Sequence, residues 1–243
     1  MRRFLLAAAL CIAGPHLATA APFVFFGENL TPGGTVAGDP LAARNSFLGA
    51  LSAGVGTEDF EGFTNGAGTP LNLTFPGSTG SITATLSGSG TDIEAGPGSG
   101  RFATSGSQFV ETPGGGDFVI DFSSAISAFG FYGTDLGDIN NDLVITLRNA
   151  VTMAETDFTL DVMGSPNGSL IFWGFTDITE TYDQIVFNNT PGSGDVFGFD
   201  DMTIGDVTQI VNPPSIPLPA TAWLLLAGVG GLGLMRRRRK PSD

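Results

Sequence analysis

Cysteine and histidine are almost absent from this chain, which has one of each among 243 residues. Cys11 and His16 both lie within the first twenty residues, so the rest of the chain can form no disulfide and offers no imidazole. This excludes Ser-His-Asp and Cys-His nucleophile systems. It also excludes the common zinc, copper and haem sites, which use these ligands. Carboxylates remain as the main chemical resource, and they favour a hard cation with oxygen ligands, calcium first.

Basic residues are also scarce outside the two termini. Between residues 21 and 215 the chain has three arginines (Arg44, Arg101 and Arg148) and no lysine. Of the 24 acidic residues only Asp243 lies outside this range, so 23 acids against three arginines give a formal charge of −20. Such a charge repels the phosphates of nucleic acids and anionic lipid surfaces, and it excludes a nucleic-acid partner. It favours solubility and the binding of cations.

The N-terminus has the three parts of a secretory signal peptide. Arg2 and Arg3 form a cationic start, and residues 4–13 form a short apolar stretch. Ala18 and Ala20 flank one residue in the small-x-small pattern that precedes a cleavage point. We therefore expect cleavage after Ala20, the alternative being an ordinary N-terminal helix.

The C-terminus carries an apolar stretch that is short for a membrane span. Residues 220–235 are apolar except Thr221, whereas a full span needs about 20 such residues. A basic cluster follows and predicts a stop to translocation: Arg236, Arg237, Arg238, Arg239 and Lys240. The pattern predicts a helix that is held transiently in an inner membrane, with the main domain outside. The alternative is a plain C-terminal anchor.

This tail resembles a known bacterial signal. Ile216 is followed by Pro217, Leu218, Pro219 and Ala220, then by Trp223, a Gly-rich apolar helix and the basic cluster. The order resembles the PEP-CTERM sorting signal of Gram-negative bacteria in its VPLPA variant, with Ile216 in place of the usual valine. The resemblance implies cleavage near the Pro-Leu-Pro-Ala motif by an exosortase, a membrane transpeptidase. It further implies delivery to the cell surface or to extracellular polysaccharide.

The central part of the chain predicts many short strands and one helix. Residues 39–51 favour a helix, with Asp39 as its cap, Pro40 at its first position and Leu41, Leu48 and Leu51 on one face. Ten strands are predicted at 60–63, 71–75, 82–86, 118–122, 126–131, 143–147, 158–162, 170–175, 185–187 and 197–204, separated by Gly, Pro, Asn and Ser. The Gly- and Ser-rich stretch 87–106 is expected to be a mobile loop or a weak edge. The pattern predicts an all-β fold, an antiparallel β-sandwich of jelly-roll type.

The predicted organisation follows from these features. It comprises a signal peptide (1–20), an N-terminal segment with a short helix (21–56), the β-sandwich (57–207), a Pro-rich linker (208–216) and the sorting signal (217–243), with its apolar helix at 220–235. Three stretches, 59–63, 129–138 and 198–204, resemble exported bacterial domains that precede PEP-CTERM signals and are similar to carbohydrate-binding-module jelly rolls. That resemblance implies the fold and an extracellular setting.

Two acidic groups are candidate calcium sites. The first is Asp135, Asp138, Asn140 and Asp142. The last three fit the first ligand positions of an EF-hand loop, but Leu143 stands where glycine is required, so an EF-hand is excluded. A loop of this composition could still bind calcium, and the alternative is a solvated acidic turn.

The second candidate site joins the two ends of the sandwich. Glu58, Asp59 and Glu61 would meet Asp200 and Asp201 if the first and last strands pair, and a cation would relieve their repulsion. Glu61 and Asp200 are the preferred ligands. The alternative is strand alternation, which would turn one of Asp200 and Asp201 to solvent.

Three function hypotheses remain open at this stage. The leading one is a non-enzymatic surface or matrix protein that supports biofilm and associates with exopolysaccharide. The others are a calcium-dependent carbohydrate-binding module and a carboxylate-based glycoside hydrolase. Four aromatic residues could stack on sugars or fill the core: Tyr132, Trp173, Phe175 and Tyr182.

Overall fold

The computed structural model describes residues 21–113, 118–136, 143–160, 162, 168–188 and 196–211. In these ranges it contains one α-helix, α1 (Asp39–Gly49), a 3-10 turn (Val207–Gln209) and thirteen strands. The strands are β1 (Phe23–Asn29), β2 (Thr57–Glu58), β3 (Leu71–Gly77), β4 (Gly80–Ser87), β5 (Asp92–Ala95), β6 (Gln108–Pro113), β7 (Phe118–Ile126), β8 (Ala128–Thr134), β9 (Leu143–Asn149), β10 (Ala154–Leu160), β11 (Leu170–Thr176), β12 (Tyr182–Asn188) and β13 (Val196–Gly205). No helix of this part of the chain is long and apolar enough to cross a membrane. The predicted signal peptide and the predicted helix at 220–235 lie outside the described residues.

The strands form two antiparallel sheets. The first sheet has seven strands in the order β1-β11-β8-β13-β6-β5, with β2 also paired to β13. The second has six strands in the order β10-β9-β12-β7-β4-β3. The predicted all-β antiparallel sandwich of jelly-roll type, with one short helix, is confirmed.

Phenylalanine rings fill the space between the sheets. Phe131 and Phe199 come from the first sheet and stack with their ring centroids 4.7 Å apart. Phe187 of the second sheet meets Phe131 edge-on at 5.4 Å, and Phe118 meets Phe199 in the same way at 5.4 Å. Offset and edge-to-face pairs are the favoured aromatic geometries, so the rings stabilise the core beyond the area that they bury. The expected core role of the strand phenylalanines is confirmed.

Local predictions differ from the structure at 60–63 and in the segment before residue 57, whereas the edge expected within 87–106 is present. The strand predicted at 60–63 is wrong: the strand is Thr57–Glu58, and Phe60 has a φ of 58° in the turn that follows. The first strand, β1, lies in the segment predicted to precede the sandwich, where no strand was expected. The Gly- and Ser-rich stretch 87–106 contains β5, which does form an edge of the first sheet.

Helix α1 starts as predicted, but its most buried large side chain is one that was not predicted to face the core. Gly38 occupies the cap position and no side chain caps the helix, so the expected role of Asp39 as the cap is wrong. Pro40 lies in the first turn, where its missing N–H has no cost. Leu41 is 37% exposed, whereas Phe47 is fully buried. The large flat ring of Phe47 therefore fixes which face of the helix meets the sheet.

Helix α1 covers the outer face of the first sheet. Phe47 lies 5.6 Å from both Phe25 and Phe172, measured between ring centroids. The start of the helix lies so close to β1 that residue 27 must be glycine, because a Cβ there would clash with the backbone of Asp39. Among the described residues no helix covers the second sheet in this way.

The chain stays attached to the sandwich beyond its last strand. Ile210 forms a bridge to Leu51, and the N–H of Val211 donates to the Ala50 carbonyl at 3.0 Å. The stretch predicted as linker therefore packs against the fold at least to Val211.

Candidate functional site

A bulge in β13 turns two consecutive carboxylates to the same loop. In a regular strand, Asp200 and Asp201 would point to opposite faces. The register of β13 shifts between Asp200 and Thr203, and Asp201 has a φ of 52°. Both side chains are buried, with 1% and 6% exposure. The alternative, in which strand alternation turns one of them to solvent, is therefore wrong.

The two carboxylates bind the segment between β5 and β6. Oδ2 of Asp200 accepts the N–H of Thr104 at 2.7 Å and that of Ser105 at 3.3 Å. Oδ1 of Asp201 accepts the Ser105 hydroxyl at 2.8 Å. The Thr104 hydroxyl lies within 3.0 Å of both carboxylates and can donate to either. The acid pair thus fastens this loop over the first sheet.

Burial controls the protonation of Asp200. It raises the pKa of Asp200 to about 7, and the charge of Asp201 adds to the effect, while the donors on Thr104 oppose it. Burial likewise raises the pKa of Tyr132 to about 12. A general acid must reach the glycosidic oxygen. Asp200, at 1% exposure beneath its loop, has no such access in this arrangement.

Glu61 holds the next part of the same segment. Its Oε1 accepts the N–H groups of Ser107 and Gln108, both at 2.6 Å, and Oε2 lies 3.1 Å from the Ser107 hydroxyl. These backbone donors lower the pKa of Glu61. Nearby, the Glu58 carboxylate accepts the N–H of Phe60 at 2.9 Å. In the strand pairing of β2 with β13, Glu58 lies opposite Met202. The predicted pairing of the first acidic stretch with the last strand is present, and its acids bind protein donors.

Asp135 of the other predicted site is paired with an arginine. Its carboxylate lies 3.4 Å from Nη1 of Arg101 and accepts the N–H of Gly168 at 2.9 Å. Arg101 also contacts Glu111 through Nε at 2.7 Å. The other predicted ligands, Asp138, Asn140 and Asp142, lie outside the described residues.

One further acidic group was not foreseen. Among the described residues, one group of three acids has carboxylate oxygens that lie within 4.8 Å of one another. Its members are Asp92, Glu94 and Glu111. Strand pairing brings them together, since Asp92 lies opposite Glu111 in the register of β5 and β6. Arg101 already supplies a positive charge there. Calcium binding at Glu61, Asp200 or the loop after Asp135 stays a prediction.

The four aromatic candidates for sugar stacking are core residues. Tyr132, Trp173, Phe175 and Tyr182 are each at most 2% exposed. The Tyr182 hydroxyl donates to Asp177 at 2.9 Å. A sugar ring has no access to these rings, so the stacking alternative is wrong for these residues.

The outer face of the second sheet carries a row of polar side chains that the sequence did not reveal. Strand register aligns them across the sheet, and we call them the polar row: Glu155, Arg148, Gln184, Asp121, Thr85 and Asn72. Strand alternation was visible in the sequence, for example in Glu155, Asp157 and Thr159 of β10. The order of the strands, which makes the row, was not.

Contacts along the polar row hold its side chains in place. Nη1 of Arg148 donates to Gln184 at 3.2 Å, and Nε2 of Gln184 donates to Asp121 at 2.7 Å. Nε of Arg148 lies 2.9 Å from Glu155, an ion pair whose angle does not suit a hydrogen bond. The Thr85 hydroxyl donates to Asn72 at 3.0 Å.

A groove of about 420 Å³ runs over one end of this row. Its lining includes Asp121, Arg148, Glu155, Gln184 and Asp183. Apolar surface comes from Met153, Ala150 and Ala154. The groove therefore offers a few hydrogen-bond donors and acceptors within a lining that is mostly apolar, a combination typical of ligand sites.

The comparisons with known proteins concern the two parts of the chain separately. Residues 215–240 match the family described as the PEP-CTERM protein-sorting motif. The sandwich is an all-β domain, and the motif that follows it indicates export and sorting to the bacterial cell surface. No curated protein matches the chain.

Several solved structures resemble the sandwich distantly. The K2 cleaved adhesin domain of Lys-gingipain is 15% identical, with 63% of this chain and 98% of that domain covered and a TM-score of 0.40. A variant of the family 29 carbohydrate-binding module CBM29-2, complexed with cellulohexaose, is 16% identical, with coverages of 67% and 100% and a TM-score of 0.33. At these TM-scores the fold assignment rests on the strand pairing described above.

Proposed function

We propose that this chain is an exported, exosortase-processed protein of the cell surface or extracellular matrix, without catalytic activity and associated with exopolysaccharide. The sorting motif at 215–240 carries the proposal. The predicted signal peptide at the other end supports it, because the two signals together direct the sandwich across the inner membrane of a Gram-negative cell. The absence of cysteine and histidine after residue 20 supports a non-catalytic role.

The order of the segments suggests how sorting proceeds. The apolar stretch 220–235 enters the inner membrane, and the basic cluster after it stays in the cytoplasm. The sandwich then lies outside, and Pro217–Ala220 is held at the membrane surface for an exosortase-type transpeptidase. The formal charge of −20 between residues 21 and 215 keeps the released protein away from anionic lipid.

Deletion of the sorting signal tests this proposal. Removal of residues 217–243 should abolish surface display in a host that has the exosortase, with the protein found in the periplasm or the medium instead. Deletion of 241–243 alone is the matched control and should leave display unchanged. Unchanged display without residues 217–243 would overturn the sorting proposal.

A second candidate function is a calcium-dependent carbohydrate-binding module. The polar row and its groove favour the carbohydrate part, because they expose oriented donors and acceptors on an uncovered sheet face. The test is retardation of the exported protein in polysaccharide-containing gels, with calcium and with a chelator. Retardation that the chelator abolishes would support this function, and a lack of retardation across many glycans would count against it.

A further inference from the structure

The groove beside the polar row has an excess of negative charge. Asp121, Glu155 and Asp183 face a single cation, Arg148, which gives a formal charge of −2. Asp121 is exposed, and the Glu155 side chain is 62% exposed. These acids are therefore accessible to a ligand, unlike the buried Asp200 and Asp201.

The carboxylates of the groove are oriented but keep capacity for a ligand. Gln184 donates to one oxygen of Asp121, and Ala150 donates its N–H to Asp183 at 3.0 and 3.1 Å. An ionised carboxylate can accept about four hydrogen bonds through its two oxygens. The protein contacts thus fix the side chains and leave lone pairs for external donors.

The other groups of the groove suit a saccharide. Sugar hydroxyls both donate and accept, and Gln184 and Arg148 present amide and guanidinium groups that match them. Met153, 80% exposed at the turn between β9 and β10, can cover the C–H face of a sugar ring. Among the residues that the structure describes, no tyrosine or tryptophan lines this groove. Charge and hydrogen bonds must therefore provide most of the selectivity.

We propose that this groove binds a polysaccharide whose sugars carry free amino groups. An ammonium group would form charge-assisted hydrogen bonds with Asp121 and Glu155, and these are stronger than those of a neutral hydroxyl. An acidic polysaccharide would be repelled by the groove and by the whole domain. The inference rests on the proposed association with exopolysaccharide and names its chemical class.

The test compares two oligosaccharides that differ only in the amine. The exported protein is titrated by calorimetry with glucosamine hexamer and with N-acetylglucosamine hexamer, at pH 6 and at a fixed physiological salt concentration. We expect the glucosamine hexamer to bind at least about tenfold more tightly. Equal affinity for the two, or no binding of either, would overturn the proposal.

Paired variants separate the groove from the general charge of the domain. Asp121→Asn combined with Glu155→Gln removes two charges from the groove and keeps the side-chain shapes. We expect it to weaken glucosamine binding about fivefold to tenfold. The control, Asp92→Asn combined with Glu94→Gln, removes two charges from the first sheet and should leave the affinity unchanged.

Each other outcome of this comparison also decides the question. Equal weakening by both double variants would assign binding to the overall charge and reject the groove. A loss in the control alone would move the site to the acidic group on β5 and β6. Because sorting is measured by surface display in cells, its failure can be distinguished from a failure of glycan binding.

Discussion

The two outer faces of the sandwich use similar residues in opposite ways. On the first sheet, α1 packs Phe47 onto the strands, and the loop at Thr104 closes over Asp200 and Asp201. On the second sheet, no helix of the described chain lies over the strands, and Asp121 and Glu155 remain open to solvent. Carboxylates that are buried under a loop hold the fold together, whereas carboxylates on an open face remain available to bind a partner.

The difference comes from the backbone more than from the residue types. A bulge and a left-handed Asp201 turn two neighbouring acids toward one loop. In β7, β9, β10 and β12 the strand register instead aligns single polar residues into a row, although the register of β7 and β12 shifts next to Gln184. The same side-chain chemistry therefore holds a loop in one place and forms an exposed polar surface in the other.

The largest effect is expected from a substitution on the outer face of the first sheet, which α1 covers. Phe47→Ala should lower the free energy of unfolding by about 3–5 kcal/mol, because it leaves a cavity between α1 and the rings of Phe25 and Phe172. The measurement is urea denaturation of the exported protein. Met153→Ala on the open face is the control and should change stability by no more than about 0.5 kcal/mol. A large effect of Met153→Ala would mean that the open face is also packed.

Asp200 should make the stability of the protein depend on pH. The pKa of Asp200 is raised to about 7 in the folded protein from 3.8, so the folded state binds more protons between these values. The stabilisation that the raised pKa of Asp200 contributes is fully present below about pH 4. It is lost as the pH rises to about 7, by at most about 4 kcal/mol.

The effect of Asp200 is isolated by comparison with a variant. Denaturation at pH 5 and pH 8 should show a clear loss of stability at the higher pH, and Asp200→Asn should reduce that loss. An identical pH dependence in the variant would show that Asp200 is not responsible.

A smaller effect is expected from a substitution in the loop that Asp200 and Asp201 hold. Thr104→Val keeps the shape and the backbone N–H but removes the hydroxyl that lies within 3.0 Å of both carboxylates. We expect a loss of about 1.5–3 kcal/mol, typical of a hydrogen bond to a charged group. The same substitution at the exposed Thr74 is a matched control that should have little effect. No loss with Thr104→Val would mean that the backbone donors alone hold the loop.

The smallest effect is expected on the open face. Glu155→Gln removes the ion pair with Arg148, in which both side chains are substantially exposed. Stability should change by less than about 1 kcal/mol, since exposed pairs contribute little. Thermal denaturation checks this, and a loss above about 2 kcal/mol would give the polar row a structural role instead of a binding one.

The sequence predicted the architecture well because strand alternation and turn residues are local signals. Most strands after residue 70 were located, and phenylalanines were correctly placed between the sheets. The predicted strand at Phe60 was wrong because two flanking aromatics there belong to a turn that packs on Phe199. The aromatic residues at 60 and 63 fit both a strand and a buried turn, so the local pattern could not distinguish the two.

The candidate site was less predictable because it depends on which strands are neighbours. Arg148, Gln184 and Asp121 are far apart in sequence, and only the pairing of β7, β9 and β12 joins them. The joint burial of Asp200 and Asp201 depends on a bulge that no sequence signal announced. The predicted contact between Glu58 and the last strand was correct because it followed from the pairing of the two ends of the sandwich that the fold class favours.

The central claim, processing at the sorting motif, is tested most directly by the intact mass of the surface-displayed protein. The account predicts a chain that starts at residue 21 and ends near Pro217–Ala220, without the apolar stretch 220–235 and the basic cluster. A surface protein whose mass includes the whole C-terminus to Asp243 would contradict it.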